Sequence, residues 1–194
     1  MQGVHSMTGS RRCQQFALYA SVCGCLMLSL PGMAAAEASV KRAAGAFYNV
    51  YMRLHIAGVP SLAQQAKLAP VVAASLAGLL RSAGRAEAAH RQRTKNQEPP
   101  LVEGDLFTSL FEGANAYTIT SCTQAGETAQ CLVTLTATDP RDRSKHSWTD
   151  QVLLTRQKGR WVVADVVFGG GWDFARKGRL TDTLRAVVTY RSTP

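Results

Sequence analysis

The sequence predicts an α+β domain in which N-terminal helices pack on one face of a curved antiparallel sheet of about four strands, with a short C-terminal helix. Three observations predict it. Between residues 39 and 90 the apolar residues recur at three- and four-residue spacing. Between residues 116 and 168 the chain changes to β-branched and aromatic runs separated by turn signals. Across 194 residues, 46% hydrophobic and 18% charged content supplies one core and excludes a disordered chain. Helices first and a meander afterwards is the order of an α+β domain, not of alternating βαβ units.

The first 36 residues read as a secretory signal peptide. Arg11 and Arg12 are the only Lys, Arg, Asp or Glu residues before Glu37, and the apolar run Phe16–Leu30 follows them. Pro31-Gly32 breaks that run, and Met33-Ala34-Ala35-Ala36 supplies the small residues of a cleavage site after Ala36, with Ala38 as the alternative. A retained anchor would need roughly 20 apolar residues to span a bilayer, and this run has 15. Val22-Cys23-Gly24-Cys25 loosely resembles a lipobox, so lipidation at Cys25 is the rival route. The mature domain is therefore residues 37–194, expected in the periplasm or secreted.

Its elements follow in order. Val40, Ala43, Ala44, Phe47, Val50, Tyr51 and Leu54 mark an amphipathic helix over Ser39–Ala57 that Gly58-Val59-Pro60 stops. A second helix is expected over Leu68–His90, with Pro70 near its start and Gly84 as a dividing point. Residues 91–100 form a polar loop ending in Pro99-Pro100. Leu101–Gly113 predicts a short helix capped by Asp105. Strands are expected near 116–122, 131–138, 147–157 and 160–168, with turns at Asp139–Asp142 and Lys158-Gly159. In the last strand Val162, Ala164, Val166 and Phe168 share a face, opposite Asp165, Trp161 and Val163. Gly169-Gly170-Gly171 ends it in a turn, and Arg179–Tyr190 closes the domain as a helix.

Cleavage leaves two cysteines, Cys122 and Cys131. In an oxidising compartment they read as one disulfide across the base of a hairpin loop of eight residues. They lack the Cys-x-x-Cys spacing of a redox-active pair. The mature chain keeps 20 Lys and Arg against 13 Asp and Glu, about +7. That basic balance suits an acidic partner, and an exported chain has no nucleic acid to meet.

No constellation carries an evident chemistry. His55, His90 and His146 are isolated in sequence, and two of them end helices, where the dipole alone favours His. No metal ligand set, cofactor motif or nucleophile elbow is expected. Among the acids, Glu103 and Asp105 read as caps or turns, while Asp150 shares a strand face with Trp148. A carboxylate beside an aromatic can have a raised pKa and act as a base. Trp148, Asp150 and Trp172 are the candidate binding residues, Trp172 for its place in a glycine-rich loop with Asp173 and Phe174.

The run Pro99–Gly113, then Trp148-Thr149-Asp150, Gly159–Val166 and Gly178-Arg179-Leu180, with Phe47-Tyr48 and Tyr51 in the opening helix, resembles a family of exported bacterial proteins. That family is a domain of unknown function, similar in architecture to the cone-shaped, cystatin-like fold of nuclear transport factor 2. The resemblance implies a cone-like α+β domain and transfers no catalytic residue. Folds of that shape serve dehydratases, isomerases, carriers and inert modules alike.

The resulting expectation is an exported, non-catalytic binding or interaction module, with a periplasmic inhibitor or immunity-type protein as one form of it. The rival readings are a lyase or isomerase using a pocket carboxylate, and a carrier of a small apolar ligand. Intact-mass spectrometry of the protein from its host's periplasm is expected to give a chain starting at Glu37 or Ser39, two protons light. A lipidated mass starting at Cys25 would overturn the cleavage assignment.

Overall fold

The computed structural model describes residues 31–190. Its four strands, β1 (Ala116–Ala125), β2 (Thr128–Thr138), β3 (Lys145–Gln157) and β4 (Arg160–Val167), run in consecutive order as one antiparallel, curved and unclosed sheet. The helices are α1 (Pro31–Leu54), α2 (Leu62–Leu68), α3 (Ala74–Thr94) and α4 (Leu180–Thr189), so the α+β architecture with a short C-terminal helix is the one the sequence predicts.

One sheet face forms the core. The register places Ile119, Val133, Leu135, Val152, Leu154, Val163 and Val166 on it, all buried. Helix α1 crosses all four strands and buries Val40, Ala44, Phe47, Tyr48 and Tyr51 against them, one apolar stripe at helical spacing. The opposite face over β1–β3 carries Thr118, Ser121, Thr123, Gln130, Thr134, Thr149 and Gln151, exposed or half-buried. Helices α3 and α4 pack together, burying Leu76, Leu80 and Ala83 with Leu180, Leu184 and Val187.

The predicted signal segment up to Leu30 lies outside the described residues. Pro31-Gly32, read as a break, is helical, because the run Met33–Glu37 consists mostly of good helix formers and carries the helix forward. At its other end α1 stops at Leu54, three residues early, with His55 left-handed at φ 43°.

The helix expected over Leu68–His90 is α3, which starts only at Ala74, and a further short helix that the sequence pattern does not announce, α2, precedes it over Leu62–Leu68. Ser61 caps α2 with a full capping box through Gln64. Pro70 lacks the N–H that a continuing helix needs, and Val71–Ala73 pair with the free edge of β4: Val163 N–H donates to Val71 O at 3.0 Å and Ala73 N–H to Val163 O at 2.7 Å. Edge pairing overrides helix propensity there. Gly84 does not divide α3; a Cβ on it would lie 2.9 Å from Gln65 Nε2, so it is a point of close α2–α3 approach. The polar loop is shorter than expected, since residues 91–94 are the last turn of α3, which ends in left-handed Lys95 and Asn96.

Leu101–Gly113 contains no helix. Leu106 and Phe107 are fully buried in the core, and Asp105 Oδ1 accepts the Phe107 N–H at 2.7 Å, a turn bond in place of a cap. Gly113 sits at φ +80°, and a Cβ there would lie 2.8 Å from Asp105 Oδ2, so backbone conformation and space both demand glycine.

The strands lie where predicted, but the alternation of β4 breaks. Leu153 pairs with Asp165 and Leu154 with Val163, leaving Ala164 as a bulge. Val163 and Val166 therefore share the core face, and Asp165 lies with Val162 on the other. There it accepts Thr181 N–H at 3.0 Å and Thr181 Oγ1–H at 2.8 Å, at the start of α4.

Cys122 and Cys131 are bonded and are direct register partners. The loop expected between them is three more strand pairs, the last Ala125 with Thr128, closed by Gly126-Glu127. Restricting so short a segment in the unfolded chain contributes roughly 2.5–3 kcal/mol in the chain-entropy account. Replacing both cysteines with serine is expected to lower unfolding free energy by about that amount in urea titration. An unchanged midpoint would show that the ladder alone holds the hairpin.

Candidate functional site

The site is organised by two carboxylates on the core side of the sheet. Strand alternation turns Trp148, Asp150 and Val152 inward together, and Asp150 ends up 1% exposed. A carboxyl so placed needs donors, because leaving it unpaired in the interior is costly. Four are supplied. Ser109 N–H (3.0 Å) and the Trp148 indole N–H (3.1 Å) reach Oδ2, while Gly169 N–H (2.9 Å) and the Ser109 hydroxyl reach Oδ1. Ser109 Oγ in turn accepts Gly170 N–H at 3.0 Å. Asp150 thus ties β3, the loop 101–113 and the start of the loop 168–179 into one network. Gly169 approaches Thr149 O so closely that no side chain fits.

Above Asp150 lies an aromatic cluster. Trp172 stands edge-on to Trp148 (ring centroids 5.8 Å, 74°) and to His146 (4.6 Å, 87°), and His146 stacks on Trp148 at 5.7 Å. The structure brings the three predicted residues Trp148, Asp150 and Trp172 together. Trp148 and Asp150 are interior members of the cluster; Trp172 is half-buried and His146 exposed. The residue most open in that loop is Phe174, at 93% exposure.

The second carboxylate is Asp105, 5% exposed. Its Oδ2 accepts the Tyr51 hydroxyl at 2.7 Å, and Tyr51 Oη accepts Ala114 N–H at 3.2 Å. Burial pushes the Asp105 carboxyl up to about 6, against hydrogen bonds from Tyr51, Phe107 and Thr108 that favour its charged form. Burial and the neighbouring Asp105 charge push the Tyr51 hydroxyl upward. Tyr48 is fully buried, and its hydroxyl, raised by burial and then by Asp150 and Asp105, has no hydrogen-bond partner. Asp105 borders a cleft of about 300 Å³ with Tyr51, Met52, His55, Phe111 and Glu112.

Sequence reasoning did not single out Ser109 or assign Tyr51 a polar role. Tyr51 falls in the apolar stripe of α1, and its hydroxyl has no signature in that pattern. His90, read as a helix-end residue, is 2% exposed, and its Nε2 donates to Pro99 O at 2.9 Å. Glu87 accepts Arg91 Nε–H at 2.8 Å and Leu101 N–H at 2.9 Å, so the pair holds residues 99–101 against α3. Among the described residues no group of three or more His, Cys, Asp and Glu is placed to hold a metal ion, and no helix is long and apolar enough to cross a membrane.

The chain matches no protein-family model, no curated protein and no solved structure. The arrangement of residues therefore carries the functional argument.

A raised carboxyl makes stability pH-dependent with a defined sign. Asp105 binds its proton more tightly in the folded chain (about 6) than at the ordinary 3.8. Its stabilising contribution is complete below the lower value and lost as pH rises through the upper one. Between pH 4 and 7.5 the native protein is expected to lose up to about 3 kcal/mol relative to Asp105→Asn. Urea titrations of both proteins across that range test it. Parallel curves would mean that Asp105 does not titrate there.

Proposed function

We propose that this protein is an exported, non-catalytic binding module that meets a protein partner through the loop between β4 and α4. The observation that carries this reading is Phe174, 93% exposed on a loop fastened at many points. Gly169 and Gly170 N–H groups are held by Asp150 and Ser109. Arg176 N–H donates to Ser109 O at 2.8 Å, and Phe168 N–H to Gly178 O at 3.0 Å. The Arg176 guanidinium donates to Asp105 O at 3.0 Å, and Lys177 Nζ to Gly170 O. A large aromatic presented on a preorganised support loses little entropy on binding, which is the character of an interface anchor.

Arg176 and Lys177 follow that anchor, with the one acid Asp173 before it, and the chain as a whole is basic, so the partner is an acidic protein surface. An inhibitor or immunity-type role is one form of this reading. The interior beneath the sheet is occupied by Phe47, Tyr48, Leu106 and Phe107, each fully buried, which speaks against an apolar-ligand carrier. Asp150 has its acceptor positions filled from within the chain, which speaks against its service as a pocket base. The paired cysteines and the N-terminal apolar run support export.

A photoreactive residue at position 174, expressed in the native host, is expected to give one discrete protein adduct. The same probe at Lys158, on the β3–β4 turn, is expected to give none. No adduct at 174, or the same adducts at both positions, would overturn the proposal.

A further inference from the structure

A second surface, sharing no residue with the Phe174 loop, has the features of a ligand site. Between α2 and α3 lies a groove of about 660 Å³, within the range of small-molecule sites. Ala57, Val59, Pro60, Leu62, Gly84 and Ala88 supply its apolar lining. Leu62 is 79% exposed in the first turn of α2, so a long apolar side chain stands open to whatever enters.

The α3 wall is cationic. Arg81 and Arg85 lie one helical turn apart on the same face, and neither has a carboxylate partner among the described residues. Among the described residues the Arg85 side chain bonds only the Ser82 hydroxyl, at 2.9 Å. The single acid in the groove, Glu87, is already engaged by Arg91 and by Leu101 N–H. The mouth therefore presents two unneutralised guanidiniums, the side chains best suited to grip a carboxylate or phosphate.

We propose that the α2–α3 groove binds a single-chain amphiphile with an anionic head, an alkyl carboxylate. The chain lies along Val59, Pro60, Leu62 and Ala88. The head meets Arg81 and Arg85.

The test is calorimetric titration of the full mature protein with dodecanoate below its micelle concentration. Dodecyltrimethylammonium and vesicles of anionic phospholipid are titrated in parallel. Saturable one-to-one binding of the carboxylate is expected, weakened about tenfold or more in Arg81→Gln/Arg85→Gln. An Arg141→Gln/Arg143→Gln protein, with the same charge removed at the exposed β2–β3 turn, is expected to bind as the native chain does. All four positions are solvent-facing, and unchanged thermal melting confirms folding of both variants. Equal affinity for the cationic amphiphile, equal weakening in the two variants, or binding to vesicles alone would each overturn the assignment.

Discussion

The carboxylate of Asp150 gathers donors from a neighbouring residue of its own strand and from two loops that are 41 and 19 residues away in sequence. Neither loop has regular structure to hold it in place. Each of the four donors, if buried without an acceptor, would destabilise the fold by about 1–3 kcal/mol, so the group works as a unit. The position of the 101–113 loop fixes Asp105, and Asp105 meets Tyr51 of α1. From this single carboxylate the order passes to the long helix, to the aromatic cluster and to the loop that presents Phe174. The interior is polar at its centre because loops must be satisfied where strands and helices would satisfy themselves.

Much of the fold is legible from local pattern. Strands β1–β4 announce themselves by β-branched runs, and Lys158-Gly159 adopts positive φ at both positions, 49° and 77°, as a tight hairpin turn requires. What escapes is set by distant partners. Val71–Ala73 leave the helical pattern because the edge of β4 offers backbone hydrogen bonds. Leu106 and Phe107 sit in a helix-like sequence but are drawn into the core, with Asp105 and Gly113 shaping the turns. The Ala164 bulge leaves no trace in composition, and it puts Val163 in place of Val162 on the face of Val166, while Asp165 stays on the opposite face.

The candidate site divides the same way. Trp148 and Asp150 are two apart on a strand, so their shared face follows from alternation alone. Trp172 joins them across more than twenty residues, which its loop composition hints at and does not fix. Ser109 and the hydroxyl of Tyr51 become functional parts of the network only through tertiary placement. Phe174 is conspicuous only for being left outside the core, and exposure of one aromatic has no sequence signature.

The two borders of the sheet are finished differently. The β4 border is covered by Val71–Ala73 and by Gly178-Arg179, whereas β1 has no strand beyond it among the described residues. A bare border of ten residues is a template on which foreign chains can stack, and so a route to precipitation in a crowded compartment. Here the border is irregular. Register shifts between Ile119 and Ser121, leaving Thr120 unpaired in the ladder, with its hydroxyl turned back to Leu132 O at 3.0 Å. Two residues on, the Cys122 bridge anchors the strand to β2. An incoming strand would find no more than four or five residues in step on either side of the kink, too short a run for stable stacking.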